Sequence, residues 1–194
     1  ISPMMKYRIS GPDATACLNR LTLRNAARLT IGAVHYTAWT DDAGKIMDDG
    51  TLFRLGDTDF RLCCQERHLP WLLDSARGFD VAIAVETAGI AALALQGPTS
   101  ASVLQAAGFD VSALRPFRMA EYPFGNSALS ISRTGFTGDL GYELWAAPAD
   151  ALALWDHLTT HGAPFGLVPA GTEAVMLART EAGFLTTNLD FIPV

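Results

Sequence analysis

The sequence predicts an α+β fold in which a unit of antiparallel strands and helices occurs twice. The two copies are indicated by residues 6–18 and 92–104. Each reads as a short strand, a Gly-Pro turn, a small polar residue that can cap a helix, and the helix itself. A second pair of segments, an aromatic strand leading into a tryptophan-containing helix, recurs at almost the same offset. We therefore predict a first repeat over residues 1–87 and a second over 88–194, which together form one functional unit.

Each repeat is predicted to run in the order strand, helix, several strands, helix, strand. Segments rich in apolar and β-branched residues predict the strands, and short turns at residues 41–44 and 56–58 favour antiparallel hairpins between them. The predicted strands are 4–10, 33–40, 46–55, 58–64, 79–86, 90–96, 117–122, 127–133 and 141–146. The predicted helices are 13–21, 66–76, 99–107, 149–161 and 170–182.

Composition argues against several classes of protein. The 194 residues are 49% hydrophobic, which is enough for a sizeable core. A net charge of −6, without a cluster of lysines and arginines, argues against a nucleic-acid or membrane partner. The longest apolar runs, 81–85 and 90–95, are too short to span a membrane, and no signal peptide is recognisable. The cysteines are odd in number and lack metal-site spacing, so we predict a cytoplasmic protein without a disulfide framework or a metal site.

The segment 132–144 is the most informative stretch for function. Its three glycines and two threonines lie between two apolar alternations, and glycines at that density let a backbone approach a ligand closely. The segment places Glu143 within a predicted strand, between Tyr142 and Leu144. A carboxylate at that position needs a partner or a solvent-exposed face. The residues alone leave two interpretations open: a functional carboxylate, or a glycine-rich hairpin with Glu143 in water.

Asp48 and Asp49 form a second candidate site. Neighbouring residues of a strand point to opposite faces, so one of the two acids must face inward unless a bulge re-aims it, and Gly50 would help to form that bulge. An inward-facing aspartate could transfer a proton or stabilise a cationic intermediate. The alternative is a polar turn with both acids in water, and composition alone favours this alternative.

Two further groups of polar residues carry weaker signals. Arg179 and Glu181 lie in the last turn of a predicted helix that Gly183 can cap. Because residues two apart on a helix do not face each other, we expect one of the two to anchor elsewhere. None of the four histidines fits a ligand pattern. His157 and His161 share one helix face without a flanking acid or third ligand, so we predict that both are solvated.

Four segments together resemble the glycine-cleavage T-proteins, a family of aminomethyltransferases. Residues 132–143 are similar to the family's Arg-Thr-Gly-Tyr-Thr-Gly-Glu-x-Gly-[Phe/Tyr]-Glu signature, and 44–49 are similar to its Gly-Gly-x-x-Asp-Asp. Residues 95–98 match Gln-Gly-Pro, and 179–183 match Arg-Leu-Glu-Ala-Gly. Each match alone would be weak. The set, in the family's order and over nearly the whole chain, is specific.

The resemblance implies a duplicated antiparallel-sheet-plus-helices folate-binding domain and a tetrahydrofolate-dependent one-carbon transferase. Asp49 would be the catalytic aspartate beside the reactive nitrogens of the folate. Glu143 would accept hydrogen bonds from the amino and ring N–H groups of the pterin, a role that suits a carboxylate. Phe136 stands where the family often has tyrosine, so ring stacking would be retained without the hydroxyl. The other folate-binding residues that the resemblance implies are Met4, Tyr36 and Arg179.

Departures from the family pattern bear on the donor more than on folate. Val175 and Met176 stand where T-proteins carry an arginine that touches folate, Pro3 replaces a histidine, and the asparagine expected near Cys64 is missing. The resemblance implies a small methyl or aminomethyl donor as substrate and, for the T-protein reaction itself, a lipoyl carrier protein as partner. The departures favour a demethylase-like paralogue that acts on another donor.

Three other interpretations stay open. One is a non-catalytic folate-binding protein similar to the iron–sulfur assembly branch of the superfamily, although no cysteine here follows the Lys-Gly that this branch carries. Another is the folate module of a flavin-dependent dimethylglycine- or sarcosine-type oxidoreductase. The third is an α+β interaction domain without folate affinity. Because the chain starts at Ile1 without a methionine and ends in an apolar run, we also expect it to be truncated at both ends.

Overall fold

The computed structural model describes residues 1–192, which contain nine strands and five α-helices. Every strand and helix predicted above is present, with ends shifted by three residues or fewer. The chain divides into two compact units. The first unit comprises residues 3–88 with 186–192, and the second comprises residues 1–2 with 89–185. The sequence did not predict that short terminal segments would belong to the unit formed by the other half of the chain.

The first unit is built on a five-stranded antiparallel sheet in the order β2-β3-β4-β1-β5. Two helices connect these strands, one after β1 and one after β4. The strands are β1 (Met5–Ser10), β2 (Val34–Thr40), β3 (Ile46–Gly56), β4 (Asp59–Cys64) and β5 (Ala82–Val85), and the helices are α1 (Ala14–Leu21) and α2 (Leu69–Ser75).

Burial in the first unit follows the two sequence periods that predicted it. Tyr7 and Ile9 alternate on β1 and are fully buried, as expected for the inner face of a strand. On α1 the buried positions recur at helical spacing and form one apolar stripe. The core that both elements share with the rest of the sheet includes Leu18, Trp39, Leu52, Phe60, Leu62 and Leu72.

The second unit contains a four-stranded antiparallel sheet in the order β6-β9-β8-β7. Its strands are β6 (Ala91–Gln96), β7 (Met119–Phe124), β8 (Ser127–Ser132) and β9 (Gly141–Ala146), and its helices are α3 (Ser100–Ala106), α4 (Ala151–Gly162) and α5 (Thr172–Glu181). Leu95, Leu104, Ile131, Leu144 and Leu154 are among the residues that form its core.

The two sheets share one connection pattern. In each unit the first strand pairs with the fourth, the fourth with the third and the third with the second, and a helix follows both the first and the fourth strand. The first unit adds β5 at the sheet edge, and the second adds α5. The repeat boundary at residues 87 and 88 and the duplication itself stay predictions. Among residues 1–192, no helix has both the length and the apolar character needed to cross a membrane.

Candidate functional site

Asp48 lies in the interior of the first unit. Its side chain is fully buried on β3, opposite Trp39 of β2. The register between β2 and β3 shifts just before the two acids, so that Met47 is the extra residue of a bulge. A bulge was one of the two predicted arrangements, although the extra residue is Met47 and not Gly50. The interpretation as a turn with both acids in water is wrong, because Asp48 belongs to a strand and has no solvent exposure.

Four donors satisfy the two oxygens of the Asp48 carboxylate. Oδ1 accepts from the hydroxyl of Thr187 at 2.7 Å and the backbone amide of Asp49 at 2.8 Å. Oδ2 lies 2.9 Å from Nε2 of His68 and accepts the backbone amide of Glu66 at 3.2 Å. Burial alone would raise the pKa of Asp48, but these hydrogen bonds together lower it below its ordinary value. Asp48 therefore holds its negative charge in the core of the unit.

Asp49 has different surroundings and the opposite tendency. Its Oδ2 accepts a hydrogen bond from the hydroxyl of Tyr36 at 2.6 Å, and Thr187 lies 3.4 Å from its Oδ1. Burial and the neighbouring charge of Asp48 raise the pKa of Asp49, and the hydrogen bond from Tyr36 opposes this only in part. Withdrawal from water and the bond to Asp49 also raise the pKa of Tyr36, so its hydroxyl stays a donor. The structure thus joins two of the predicted site residues.

His68 is a polar neighbour of Asp48 that the sequence did not predict. It precedes α2, and its ring packs edge-on against Trp39 with centroids 5.4 Å apart and against Trp71 with centroids 6.4 Å apart. Its backbone amide donates to the hydroxyl of Tyr7 at 2.9 Å. One signal could have found it: β4 pairs with β3 beside the two acids, and the residues directly after β4 must pass close to them.

A polar cleft of about 460 Å³ lies beside His68 in the first unit. Its wall includes Glu66, whose carboxylate accepts from the side-chain amide of Asn188 at 2.9 Å. The predicted residue Met4 does not line this cleft, but its backbone carbonyl accepts from Nζ of the buried Lys6 at 2.9 Å. Met4 therefore takes part in the polar framework of this unit through its backbone.

In the second unit, Glu143 has a defined hydrogen-bond partner. It lies on β9, is half-buried, and its Oε2 accepts from the hydroxyl of Thr134 at 2.5 Å. That hydroxyl lies 2.7 Å from the hydroxyl of Ser132, which accepts from Nε1 of Trp145 at 3.1 Å. Glu143 thus combines partial exposure with a hydrogen-bonded partner, and its assignment as a functional carboxylate stays a prediction.

The glycine-rich loop between β8 and β9 is held by the side chain of Gln96. Nε2 of Gln96 donates to the carbonyl of Tyr142 at 3.1 Å and lies 3.4 Å from that of Thr134. A Cβ added at Gly135 or Gly141 would overlap this side chain, so glycine at both positions lets Gln96 keep its hydrogen bonds to the loop. Close packing is thus the observed reason for two of the glycines in the signature segment.

Phe136 and Arg179 both contact Phe184. The rings of Phe136 and Phe184 stack with centroids 5.8 Å apart and planes 19° apart. Arg179 is 7% exposed at the end of α5 and donates to the carbonyl of Phe184 at 3.0 Å, while Gly183 ends the helix with φ +77°. The predicted helix cap and the anchored arginine are confirmed. Because its guanidinium is buried and donates to Phe184, Arg179 anchors the segment that follows α5. Its assignment to folate binding stays a prediction.

The prediction that His157 and His161 are solvated is wrong. Nε2 of His157 donates to the carbonyl of Ala107 at 2.8 Å, and Nδ1 of His161 donates to the carbonyl of His157 at the same distance. The ring of His157 packs against Phe109 and Phe124. Both histidines are half-buried parts of the second unit's packing, which leaves the two carboxylate sites as the functional candidates.

Comparison with known sequences decides the family. Residues 1–193 match the family described as the GCVT N-terminal domain. The chain belongs to this family. It is 35% identical over 190 residues to an aminomethyltransferase of Lysinibacillus sphaericus, a match that covers 94% of the chain and 52% of that protein. It is also 34% identical over 203 residues to a trimethylamine-oxide aldolase of Ruegeria pomeroyi, covering 98% of the chain and 26% of that protein.

Solved structures confirm the α+β fold. The chain matches the glycine cleavage system aminomethyltransferase T of Bartonella henselae with a TM-score of 0.87 and 29% identity, over 100% of the chain and 52% of that protein. A heterotetrameric sarcosine oxidase from Corynebacterium matches with a TM-score of 0.65 and 16% identity, over 88% of the chain and 85% of the matched oxidase chain, which shows the fold alone. The chain spans about half the length of the aminomethyltransferase that it matches.

Within this family member, the predicted site residues fall into two sets. Asp49, Tyr36 and Met4 belong to the first unit, where Asp49 and Tyr36 are hydrogen-bonded. Glu143, Phe136 and Arg179 belong to the second unit, where the last two meet at Phe184. The assignment of these six residues to folate or to catalysis stays a prediction.

Proposed function

We propose that this chain is the folate-binding part of an enzyme that transfers an aminomethyl or methyl group from a small donor to tetrahydrofolate. The observation that carries the proposal is the pair of adjacent carboxylates, Asp48 and Asp49, whose surroundings move their pKa values in opposite directions. Two neighbouring acids with different pKa values can take different roles, since one keeps its charge while the other exchanges a proton. The aminomethyltransferase relatives support the same assignment.

The residues of the second unit fit a pterin by their chemistry. A pterin presents an amino group and an adjacent ring N–H, and a carboxylate can accept both. Glu143 already accepts a hydroxyl hydrogen bond on Oε2, which holds one oxygen of its carboxylate in place. Phe136, in the loop that precedes β9, offers an aromatic ring whose position is held by stacking on Phe184.

Asp49 is proposed to act on protons and charge at the reacting centre. Tetrahydrofolate, when bound, supplies the nitrogen nucleophile that receives the one-carbon group. Asp49 accepts a proton or stabilises the positive charge that develops as the donor's amine departs. Tyr36 fixes one oxygen of this carboxylate by its hydrogen bond. Burial, together with the charge of Asp48, raises the pKa of Asp49 and makes it a stronger base than an isolated aspartate.

The donor is proposed to be a small methylated or aminomethylated amine. Two relatives, the aminomethyltransferase and the trimethylamine-oxide aldolase, are named for reactions of amine compounds. Pro3 and Val175 depart from the T-protein pattern, which favours a free donor over one carried by a lipoyl protein. A lipoyl carrier is the alternative partner.

A second candidate function is the folate module of a larger amine-metabolising enzyme. This chain is similar to 26% of the trimethylamine-oxide aldolase, so such a domain occurs within a much longer protein. A flavin domain elsewhere in the full-length protein would favour a dimethylglycine- or sarcosine-type oxidoreductase, with the same roles for the residues described above.

Calorimetric titration of the full-length protein with 5-formyltetrahydrofolate tests the binding function. We expect binding by the wild type and at least about a tenfold loss in Glu143→Ala, since hydrogen bonds to a charged group contribute about 1.5–3 kcal/mol. Absence of binding by the wild type would refute the proposal.

Transfer is tested separately with a panel of methylated and aminomethylated amines, with one-carbon derivatives of tetrahydrofolate detected by mass spectrometry. Asp49→Asn should bind 5-formyltetrahydrofolate within about threefold of the wild type and lose about a hundredfold or more in turnover. Turnover close to that of the wild type in Asp49→Asn would remove Asp49 from the mechanism.

A further inference from the structure

A chain of hydrogen bonds in the second unit starts at an indole and ends on the Glu143 carboxylate. Trp145 Nε1 to Ser132 Oγ is 3.1 Å, Ser132 Oγ to Thr134 Oγ1 is 2.7 Å, and Thr134 Oγ1 to Glu143 Oε2 is 2.5 Å. Ser132 is fully buried, and both Thr134 and Trp145 are 6% exposed. The hydrogen-bonded side chains come from two adjacent strands and from the first residues of the loop that joins them.

The chemistry of the groups sets the donor-to-acceptor direction of these hydrogen bonds. An indole N–H can only donate, and an ionised carboxylate can only accept. Ser132 therefore accepts from Trp145 and donates to Thr134, which donates to Glu143. In the reverse direction, the Ser132 proton would turn to the backbone carbonyl of Glu143 at 3.5 Å, a longer and weaker bond. The distances thus favour the direction in which the Glu143 carboxylate accepts.

Packing alone does not account for these hydroxyls. A buried hydroxyl costs free energy unless it is hydrogen-bonded, and alanine or valine would fill the same space without that requirement. Ser132 and Glu143 are directly paired across β8 and β9, so the strand register brings the first hydroxyl beside the acid. Thr134 then extends the chain to one oxygen of the carboxylate.

We propose that Ser132, Thr134 and Trp145 are positioning residues that fix the rotamer of Glu143, and that this relay of hydrogen bonds from Trp145 to Glu143 selects ligands with two adjacent N–H donors. The inference rests on the proposed function, in which such a donor edge belongs to a pterin. A heterocycle with an oxo group at that edge would face a carboxylate that cannot donate to it.

Thr134→Val tests the relay, since it keeps the shape of the side chain and removes the hydroxyl. Thr137→Val is the matched control, because its hydroxyl lies in the same loop but bonds to Gln96 at 3.3 Å and not to Glu143. We expect Thr134→Val to weaken 5-formyltetrahydrofolate binding by the full-length protein about tenfold, and Thr137→Val to change it less than twofold. Equal affinities for the two variants would overturn the proposal.

A double-mutant cycle separates positioning from a general structural effect. If Thr134 acts through Glu143, Thr134→Val adds no further loss of affinity in the Glu143→Ala background. Additive losses would show that Thr134 contributes to binding by another route and would overturn its role as a positioning residue. Thermal midpoints of both single variants confirm that they are folded.

The indole signal of Trp145 reports the relay without any ligand. In a nitrogen-15 spectrum of the full-length protein, the indole N–H signal that is lost in Trp145→Phe is the signal of Trp145. Ser132→Ala should move that signal most, Thr134→Val and Glu143→Ala less, and Thr137→Val not at all. If the wild type fails to bind folate, the proposed function fails and this spectrum still decides the relay. An indole signal that is unmoved by Ser132→Ala would overturn it.

Discussion

The two carboxylate sites are built in different ways. Asp48 is held by a histidine, a hydroxyl and two backbone amides, all within the core of the first unit. Glu143 is half-buried and receives a hydroxyl at the end of a chain of neutral donors. Two of the donors to Asp48 are backbone amides, which are held by the fold itself, whereas the relay to Glu143 is held by the side chains of Trp145, Ser132 and Thr134. In the proposed function, the surroundings of Asp48 suit a fixed charge beside the reacting groups. Those of Glu143 suit recognition of the N–H groups of a ligand.

Glycines beside the two sites show the same difference in rigidity. A Cβ added at Gly50 would overlap the backbone carbonyl of Cys63 on the adjacent strand. A Cβ added at Gly141 would overlap the side chain of Gln96, which can change rotamer. The overlap at Gly50 can be relieved only by a shift of the strands that carry Asp49. The overlap at Gly141 can be relieved if the Gln96 side chain moves and loses its hydrogen bonds.

The largest expected effect is therefore that of Gly50→Ala. We expect it to destabilise the protein by at least about 3 kcal/mol, because a strand backbone must move, whereas Gly141→Ala should cost about 1 kcal/mol. Midpoints of urea unfolding of the full-length variants measure both. The comparison is sharpened by Gly141→Ala combined with Gln96→Ala, where the second change should remove most of the steric cost. Equal destabilisation by the two glycine variants would contradict the difference in rigidity.

Asp48→Asn is expected to have the next largest effect. All four partners of Asp48 donate to it, so an asparagine amide must turn its NH2 group toward at least one backbone N–H, even if His68 changes tautomer and accepts. We expect a loss of about 2 kcal/mol, the cost of leaving buried donors unsatisfied. Asp59→Asn is the control, since its ion pair with Arg8 is partly exposed and should contribute less than about 1 kcal/mol. A loss in Asp48→Asn as small as that in Asp59→Asn would show that burial of the carboxylate matters little.

The sequence predicted the fold well because its periodicities are local. Alternation on β1 and helical spacing on α1 each identify an element and its buried face within a few residues. The proximity of Ser132 to Glu143 could also have been predicted from the sequence, because the register of one hairpin pairs these two residues. Local patterns cannot predict which residues far apart in the sequence come together in a site.

The surroundings of Asp48 illustrate that limit. His68 lies twenty residues away and Thr187 more than a hundred, so no short window of sequence contains both side-chain donors to Asp48. Without those donors an aspartate pair is expected in water, and composition therefore favoured the wrong interpretation. The family resemblance pointed to Asp49 as the reacting group but not to the buried charge that raises its pKa.

The smallest expected effect has the opposite sign and concerns Asp49. Its pKa is raised in the folded protein, so folding is penalised as pH rises above the ordinary aspartate value of about 3.9, and the penalty is complete once pH exceeds the folded pKa. Asp49→Asn should therefore stabilise the protein by about 0.5 kcal/mol near pH 7 and have no effect near pH 3. Asp48 has a lowered pKa, so the cost of Asp48→Asn is full above that ordinary value and disappears as pH falls through the folded pKa.

Thermal midpoints of full-length wild type, Asp49→Asn and Asp48→Asn from about pH 3 to pH 7 measure both trends in one series. Asp57→Asn, a change in an exposed turn, is the control variant of this series. A stabilised Asp49→Asn that has lost transfer would show that this carboxylate is retained for chemistry at the expense of stability. Destabilisation by Asp49→Asn at neutral pH would contradict this, because it would mean that Asp49, like Asp48, is held in place to support the fold.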